Sequence, residues 1–273
     1  MLQSTTTVLA IIGHPIKQVK SPTYFNEWFT ARGRDIAMVP MDIAPDRSEH
    51  IASWLRAWEN LAGCVVTMPY KALLSRYVDD LSDRARRLGA VNVIRRETGG
   101  RLYGDHVDGQ GFLLAATSHR VKFRGAHALV IGCGGAGVAI ADALCEAGVN
   151  SLICCDVEKL RERRLVETLR DVYPAVSIDF MNETLGNFDI VVNATSAGMR
   201  GEKELPLSYR ELDTLTASTF VADVVTDPEI TPLLEMARQR GCRVQTGAEM
   251  SRAQMEPLGH FIGVMSQFPD ESV

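Results

Sequence analysis

The stretch ALVIGCGGAGVAIADALCEAGVNSLICCD, residues 128–156, decides how the rest of the chain is interpreted. Four apolar residues, Ala128–Ile131, are typical of a buried strand, and after a glycine-rich turn Val138–Ala147 has the composition of a helix. Leu152–Cys155 forms a second apolar segment, which ends in Asp156. The stretch therefore predicts a strand, a turn, a helix and a second strand.

The turn between the first strand and the helix carries glycines in the G-x-G-x-x-G spacing of dinucleotide-binding sites. The first glycine permits a tight turn, the second lets the backbone approach a pyrophosphate, and the third lets the helix pack close to the strand. The helix N-terminus adds free N–H groups and the positive end of its dipole. We expect the cofactor pyrophosphate to be bound by Gly132, Gly134, Gly135, Ala136 and Gly137. The alternative is a glycine-rich turn with a structural role only.

Asp156 indicates which dinucleotide is bound. A carboxylate at the end of the second strand, about 20 residues after the glycines, can accept hydrogen bonds from the adenosine ribose and repels a 2′-phosphate. This predicts NAD as the cofactor in preference to NADP. An aspartate before a helix can instead be its cap, and a phosphate partner is not excluded, since cationic residues follow at Lys159, Arg161, Arg163 and Arg164.

Composition places the protein among ordinary globular proteins. Of 273 residues, 46% are hydrophobic and 23% are charged, and the net charge is −5. This charge argues against nucleic acids and anionic membranes as partners, and no apolar run approaches the ~20 residues of a membrane span. The six cysteines lack C-x-x-C pairs and lie mostly in apolar runs. We expect a cytoplasmic protein without a metal site.

Strands and helices alternate on both sides of the central stretch, which predicts two α/β domains. A nicotinamide enzyme also needs a group that exchanges a proton with the substrate hydroxyl. Lys71, just past an apolar strand, and Asp108, after a hairpin signal, are the best placed residues. Lysines and aspartates are mostly solvated surface charges, so spacing alone argues weakly for this pair.

Several motifs resemble those of the shikimate/quinate dehydrogenases, in order over nearly the whole chain. They are Gly13-His14-Pro15-Ile16 with Lys20-Ser21-Pro22, Gly63 to Lys71, Gly89-Ala90-Val91-Asn92, Asp108-Gly109-Gln110-Gly111-Phe112, Asn193 to Met199, Asp223 to Leu234, and Gly247-Ala248-Glu249-Met250 with Gln254. The resemblance implies an N-terminal substrate-binding domain and a Rossmann-type NAD(P)-binding domain, with the C-terminal helix returning to the first. The boundaries expected are 1–107 plus 247–273 for the substrate domain and 108–246 for the cofactor domain, with the active site in the cleft.

The resemblance also implies roles for individual residues. Lys71 and Asp108 would be the catalytic pair. The residues expected to hold the substrate are Ser21, Thr67, Asn92, His106 and Gln254. Further cofactor contacts are expected at Asn193, Thr195, Met199, Val224, Gly247 and Met250. Ordinary roles remain open: Ser21 as a helix cap, Asn92 in the hairpin, His106 on the surface, and the methionines in the core.

The chain departs from the family pattern at residues that usually carry polar groups. Valines stand at Val19, Val65 and Val107, His106 replaces an asparagine, and Thr226 replaces a tyrosine. An unpaired substrate hydroxyl costs about 1–3 kcal/mol, so shikimate itself is expected to bind poorly. The expected substrate is a cyclic carboxylic acid: shikimate, quinate or a less hydroxylated relative.

Three functions compete. The first is an oxidoreductase that transfers hydride between a nicotinamide and a secondary ring alcohol. The second is a catalytically weak or non-catalytic ligand-binding or regulatory homologue, which the three valines favour and the intact Lys71–Asp108 pair opposes. A folate-type dehydrogenase is the third, and the Asn193–Met199 motif argues against it. We expect the first, with the oligomeric state, a homodimer or otherwise, left open.

Overall fold

The computed structural model describes residues 2–181, 187–201 and 203–265. Its strands are β1 (Thr7–Gly13), β2 (Ile36–Asp42), β3 (Leu61–Val66), β4 (Asp80–Leu81), β5 (Val93–Arg96), β6 (Leu102–Asp105), β7 (His127–Ile131), β8 (Ser151–Cys155), β9 (Ser177–Phe180), β10 (Ile190–Asn193), β11 (Phe220–Asp223) and β12 (Arg243–Gln245). Its α-helices are α1 (Ser21–Ala31), α2 (Ile51–Ala57), α3 (Lys71–Leu74), α4 (Asp83–Leu88), α5 (Asp108–Ser118), α6 (Gly135–Glu146), α7 (Lys159–Val172), α8 (Tyr209–Leu212), α9 (Pro232–Gln239), α10 (Gly247–Ala253) and α11 (Met255–Ile262). None of the described helices is both long and apolar enough to span a membrane.

The chain forms two compact units. The first ends at Val107 and resumes at Gln254, and the second comprises Asp108–Ala253. The sequence predicted the return to the first domain at residue 247. The structure instead leaves α10 in the second unit, because Met250 packs into the hydrophobic core of that unit.

The first unit is built on a mixed six-stranded sheet of order β2-β1-β3-β5-β6-β4. Strands β2, β1 and β3 are parallel, whereas β5 runs antiparallel to both β3 and β6. Helices α1 and α11 cover one face, where Phe25, Phe29 and Leu258 are buried. The other face is closed by a cluster that includes Leu55 and Tyr70. Both faces are therefore covered, as the apolar strands require.

The second unit is a parallel six-stranded sheet of order β12-β11-β10-β7-β8-β9. Its strands are apolar on both faces, which is typical of a parallel sheet enclosed by helices. The chain proceeds outward from β7 through β8 and β9, then returns to the other side of β7 at β10. This reversal is the topological switch point, outside whose carboxyl edge doubly wound folds bind their ligands. The prediction of two α/β folds, one of them Rossmann-type, is confirmed.

Replacement of Leu144 by alanine tests the core of the second unit. Leu144 is 0% exposed, and its truncation leaves a cavity that costs about 2–5 kcal/mol of unfolding free energy. The control is Leu160→Ala, also in the second unit, where a 63% exposed side chain is expected to change stability by less than about 0.5 kcal/mol. Urea unfolding measures both variants, and equal losses would contradict the assignment of Leu144 to the core.

Candidate active site

One edge of the first unit's sheet brings together three residues predicted to hold the substrate. Because β5 runs antiparallel between β3 and β6, its amino end lies beside the carboxyl ends of its two neighbours. Thr67 follows β3, Asn92 precedes β5, and His106 follows β6. The three residues therefore lie at the same edge of the first unit's sheet.

Asn92 connects the segments at this edge. Its N–H donates to the carbonyl of Asp105 at 2.9 Å, and its own carbonyl accepts from the N–H of Val66 at 2.7 Å. Its side-chain Oδ1 accepts from the N–H of Val107 at 2.8 Å. Asn92 is 2% exposed, so its side chain fixes the backbone just before Asp108 rather than serving a hairpin turn alone.

His106 is 0% exposed, so it is not a surface histidine. Its N–H donates to Oδ1 of Asp105 at 2.6 Å. That carboxylate also accepts from the Ser82 hydroxyl at 2.5 Å and from the Arg84 guanidinium at 2.6 Å. A buried carboxylate with a cationic partner and several donors is well satisfied, and it fixes the backbone at His106.

Lys71 is the first residue of α3, after a turn in which the N–H of Tyr70 donates to the Thr67 carbonyl at 3.1 Å. The Lys71 carbonyl accepts from the N–H of Val91 at 2.9 Å, and the Tyr70 hydroxyl donates to the carbonyl of Ile43. The lysine backbone is thus held on two sides, while its side chain is partly exposed. A fixed backbone with a reachable ammonium group suits a proton-transferring lysine.

Ser21 and Gln254 occupy the ends of two helices of the first unit. Ser21 is the first residue of α1, whose N-cap is Lys20, so it does not have the capping role left open for it. Gln254 is the N-cap residue of α11. Both are partly buried.

Two of the three valines that replace polar family residues belong to the core. Val65 and Val107 are 5% and 1% exposed, in the cluster that contains Leu258 and Ile262 of α11. Val19 is partly buried and packs against the same cluster. These valines therefore serve the apolar packing of the first unit.

The sequence analysis did not single out the pair His14 and Asp42 as site residues. The pair closes the ends of the parallel strands β1 and β2, with Nδ1 of His14 2.8 Å from Oδ1 of Asp42. The N–H of His14 donates to the Met68 carbonyl at 3.0 Å, which links the pair to the segment between Thr67 and Lys71. The signal in the sequence is that His14 directly follows β1 and Asp42 ends β2, because the carboxyl ends of parallel strands share an edge.

In the second unit, the glycine-rich turn has the geometry that its sequence predicts. Gly132 has a φ of 95°, in the left-handed region that favours glycine. A Cβ on Gly137 would lie 1.8 Å from the carbonyl oxygen of Gly132, so the close packing of α6 on the end of β7 requires a glycine. Gly134, the N-cap, supplies no side-chain cap. The N–H groups of the first turn, Gly135 to Gly137, are therefore not capped by its side chain and suit an anion.

Asp156 lies against this turn, and its carboxylate already has backbone partners. Oδ2 accepts from the N–H of Cys133 at 2.6 Å, and Oδ1 accepts from the N–H of Glu158 at 2.8 Å. The second of these contacts is an Asx turn just before α7. The carboxylate thus shapes the turn and the entry to the helix.

Asn193 organises the loop that follows β10. Its Nδ2 donates to both oxygens of Asp223 at 3.1 Å. Its Oδ1 accepts from the N–H of Thr195 at 3.0 Å and from the Thr195 hydroxyl at 2.7 Å. Asn193 is 0% exposed, so the structure gives it the role of holding the loop, where the sequence predicted direct contact with the cofactor.

Asp223 is a residue that the sequence analysis placed in a motif without giving it a role. It is 1% exposed, and its carboxylate also accepts from the N–H of Val225 at 2.9 Å and the hydroxyl of Thr231 at 2.7 Å. Burial raises the pKa of Asp223 to about 6, against the lowering effect of these hydrogen bonds. The signal in the sequence is an aspartate at the end of an apolar strand.

The remaining predicted residues fall into three environments. Met199 and Val224 are partly buried; Met199 lies six residues after the end of β10, and Val224 directly follows β11. Gly247 is buried at the start of α10, and Met250, 3% exposed, is a core residue. Asp108 is 3% exposed and begins α5. It belongs to the second unit, whereas Lys71 belongs to the first.

Comparison with known proteins assigns both units to one family. The model of the shikimate dehydrogenase substrate binding domain matches residues 11–94, and that of shikimate / quinate 5-dehydrogenase matches residues 114–225. The shikimate dehydrogenase (NADP(+)) of Rhodospirillum rubrum is 37% identical, over 94% of this chain and 92% of the relative. The enzyme of the same name from Exiguobacterium is 35% identical over 89% and 87%. The structure of shikimate 5-dehydrogenase from Listeria monocytogenes, in complex with shikimate and NAD, has a TM-score of 0.86 and 27% identity over 98% of this chain and 95% of that one.

The predicted preference for NAD is wrong, because the curated relatives are NADP(+) enzymes. The physical reason lies in the geometry of Asp156. The N-cap of α7 is Glu158, so Asp156 does not have the capping role left open for it. The two carboxylate oxygens of Asp156 accept the backbone N–H groups of Cys133 and Glu158. Such donors stabilise and partly offset the negative charge, so an aspartate here is weak evidence against a 2′-phosphate.

Two family models match the two units, and a curated relative shares more than a third of its residues with this chain over nearly the whole length. The chain belongs to the shikimate dehydrogenase family.

Proposed function

We propose that the protein is an NADP(H)-dependent oxidoreductase that interconverts a secondary ring alcohol and the corresponding ketone in a cyclic carboxylic acid. The observation that carries this proposal is the polar edge of the first unit's sheet, where Lys71 and Asn92 are held by hydrogen bonds beside Thr67. Support for the cofactor comes from the second unit, whose glycine-rich turn is placed next to the switch point of a parallel sheet.

The glycine-rich turn fits a dinucleotide. A side chain at Gly137 would fill the space against the Gly132 carbonyl, and the N–H groups at the start of α6 suit a pyrophosphate. NADP(H), once bound there, supplies or takes up the hydride. The cationic side chains after β8, Lys159 and Arg161 among them, are candidates to attract the 2′-phosphate. They now pair with Glu162 and Glu158, so the phosphate would compete with these carboxylates.

Lys71 and Asp108 are proposed to handle the proton. Oxidation of a ring alcohol releases the hydroxyl proton, and reduction of the ketone requires one at the same oxygen. Lys71 would exchange that proton through its Nζ atom. Asp108, as a carboxylate, would orient the ammonium group and accept a hydrogen bond from the hydroxyl. These roles are carried over from the family onto two residues that match its motifs.

The ring acid proposed as substrate has fewer hydroxyl groups than shikimate or quinate. Ser21, Thr67 and Gln254 are partly buried and remain as polar groups for a carboxylate and a hydroxyl. Asn92 and His106 are 2% and 0% exposed and would hold the backbone of this edge in place. The core positions of Val65 and Val107 offer no hydrogen bond. Positions 65 and 107 therefore give a substrate hydroxyl no hydrogen-bond partner, and the loss of such partners discriminates against highly hydroxylated rings.

A non-catalytic ligand-binding homologue is the second candidate, favoured by the same valines. The two functions differ in what Lys71 does. Lys71→Ala is expected to lower kcat by about 10²–10⁴-fold with little change in NADPH affinity, because a general acid–base is removed. Steady-state kinetics and a fluorescence titration of NADPH measure the two quantities. The exposed Lys122 provides the control variant, Lys122→Ala, which is expected to behave as wild type. Unchanged turnover in Lys71→Ala would contradict a catalytic lysine.

The substrate class is tested with a series of ring acids. We expect kcat/KM to be about tenfold or more higher for a ring acid that lacks one hydroxyl than for shikimate, because no hydroxyl is then left unpaired. Initial rates at fixed NADP⁺ with shikimate, quinate and their singly dehydroxylated analogues provide the comparison. A strict preference for shikimate would show that other side chains replace the lost polar groups.

A further inference from the structure

A continuous hydrogen-bond network in the second unit joins a buried carboxylate to the loop beside the glycine-rich turn. We infer that Asp223 is a positioning residue for cofactor binding, acting through Asn193 on the loop at residues 194–198. This inference rests on the proposed function, since it requires NADP(H) to bind at the glycine-rich turn beside this loop. Asp223 itself, at 1% exposure, is too buried to contact the cofactor.

The direction of the Asn193 amide is set by charge. A carboxylate only accepts hydrogen bonds, so Asp223 selects the rotamer in which the Asn193 NH₂ group faces it. The Oδ1 atom then faces Thr195, which donates to it through both its N–H and its hydroxyl. The reversed amide would direct its NH₂ group at the Thr195 N–H. The negative charge at Asp223 therefore determines the loop conformation at Thr195 indirectly, through the side chain of Asn193.

The ordered Thr195 in turn fixes the loop. Its hydroxyl oxygen accepts from the N–H of Ala197 at 3.1 Å. On its other side, Thr195 lies against the glycine-rich turn, because a Cβ on Gly132 would be 2.8 Å from Cγ2 of Thr195. The loop governed by Asp223 thus forms one wall of the turn that is proposed to bind the pyrophosphate.

Asp223 also connects the loop to the following helix. Thr231 donates to Oδ2 of Asp223 at 2.7 Å, and its hydroxyl oxygen accepts from the N–H of Leu234 as the N-cap of α9. A Cβ on Gly198, at the end of the loop, would lie 3.3 Å from Cβ of Thr231. One carboxylate therefore orders both the start and the end of the loop.

The charge of this carboxylate depends on pH in an accessible range. Among the described residues, the groups that lower its pKa are neutral hydrogen-bond donors: the Asn193 side chain from β10, the backbone N–H of Val225, and the Thr231 hydroxyl from α9. With a pKa of about 6, Asp223 gains a proton as the pH falls through that value. The protonated group is a donor as well as an acceptor, so it no longer imposes one orientation on Asn193.

The test compares Asp223→Asn with Asp213→Asn in the full-length protein. Asparagine has nearly the shape of aspartate but can present either face to Asn193, so the loop loses its single conformation. We expect the Kd and KM for NADPH to rise about tenfold while kcat and the melting temperature change much less. The control removes a negative charge from an exposed aspartate of the same unit, bonded to Arg240, and is expected to match wild type.

A pH series separates positioning from a merely structural role. Wild-type affinity for NADPH should fall as the pH drops through about 6, whereas Asp223→Asn should lack this part of the decrease. The 2′-phosphate titrates in the same range, with a pKa of about 6, so the difference between the two proteins is the quantity to compare. Identical pH profiles would overturn the inference.

A second variant covers the case in which Asp223→Asn does not fold. Thr195→Val breaks the same network at its other end and is expected to raise the Kd for NADPH to a similar extent. If both fold, the double variant should be no weaker than the single ones, because they act in one chain of contacts. Wild-type affinity in Asp223→Asn overturns the inference alone, and failure of the wild type to bind NADPH overturns the proposed function together with it.

Discussion

The close approach of α6 to the end of β7 is the constraint on which the cofactor unit depends. The start of this helix lies so near the Gly132 carbonyl that residue 137 must lack a side chain. Because the helix begins directly above the strand, its first N–H groups are presented at the switch point of the sheet. The loop after β10 packs against the same glycine turn, so its conformation is tied to that contact.

Carboxylates then shape the loops around both sheet edges, buried at Asp105 and Asp223 and partly buried at Asp156. Asp105 holds the segment before α5, Asp156 holds the glycine-rich turn, and Asp223 holds the loop after β10. Each accepts at least one backbone N–H group, which gives a polar loop a defined conformation without a regular element. Asp156, which the sequence assigned to the cofactor, thus also organises the backbone of the glycine-rich turn and the entry to α7.

The sequence predicted most of the fold because its signals are local. The glycine spacing before α6 and the apolar runs of β7 and β8 each act within a few residues. The prediction failed where distant residues meet. One partner of the Asp156 carboxylate is the N–H of Cys133, which lies 23 residues earlier in the chain. Tertiary packing decides which distant residues form such hydrogen bonds, so the spacing of residues along the chain does not predict them.

The candidate site was predictable in its residues but less so in their roles. Lys71 and Thr67 were found because they follow an apolar strand, and the structure places them at a sheet edge. The burial of Val107 depends on α11, which returns from the far end of the chain to pack on the first sheet. Asn193 was expected at the cofactor, yet each of its polar atoms serves the surrounding loop.

The central claim is that the chain is a working NADP(H)-dependent dehydrogenase of cyclic carboxylic acids. The most direct test is the rate of nicotinamide reduction at saturating ring acid, with NADP⁺ and NAD⁺ in parallel. We predict turnover with NADP⁺, at a higher kcat/KM than with NAD⁺. The absence of turnover with either cofactor across the ring acids, in a protein that binds NADP⁺, would contradict this claim and favour the non-catalytic homologue.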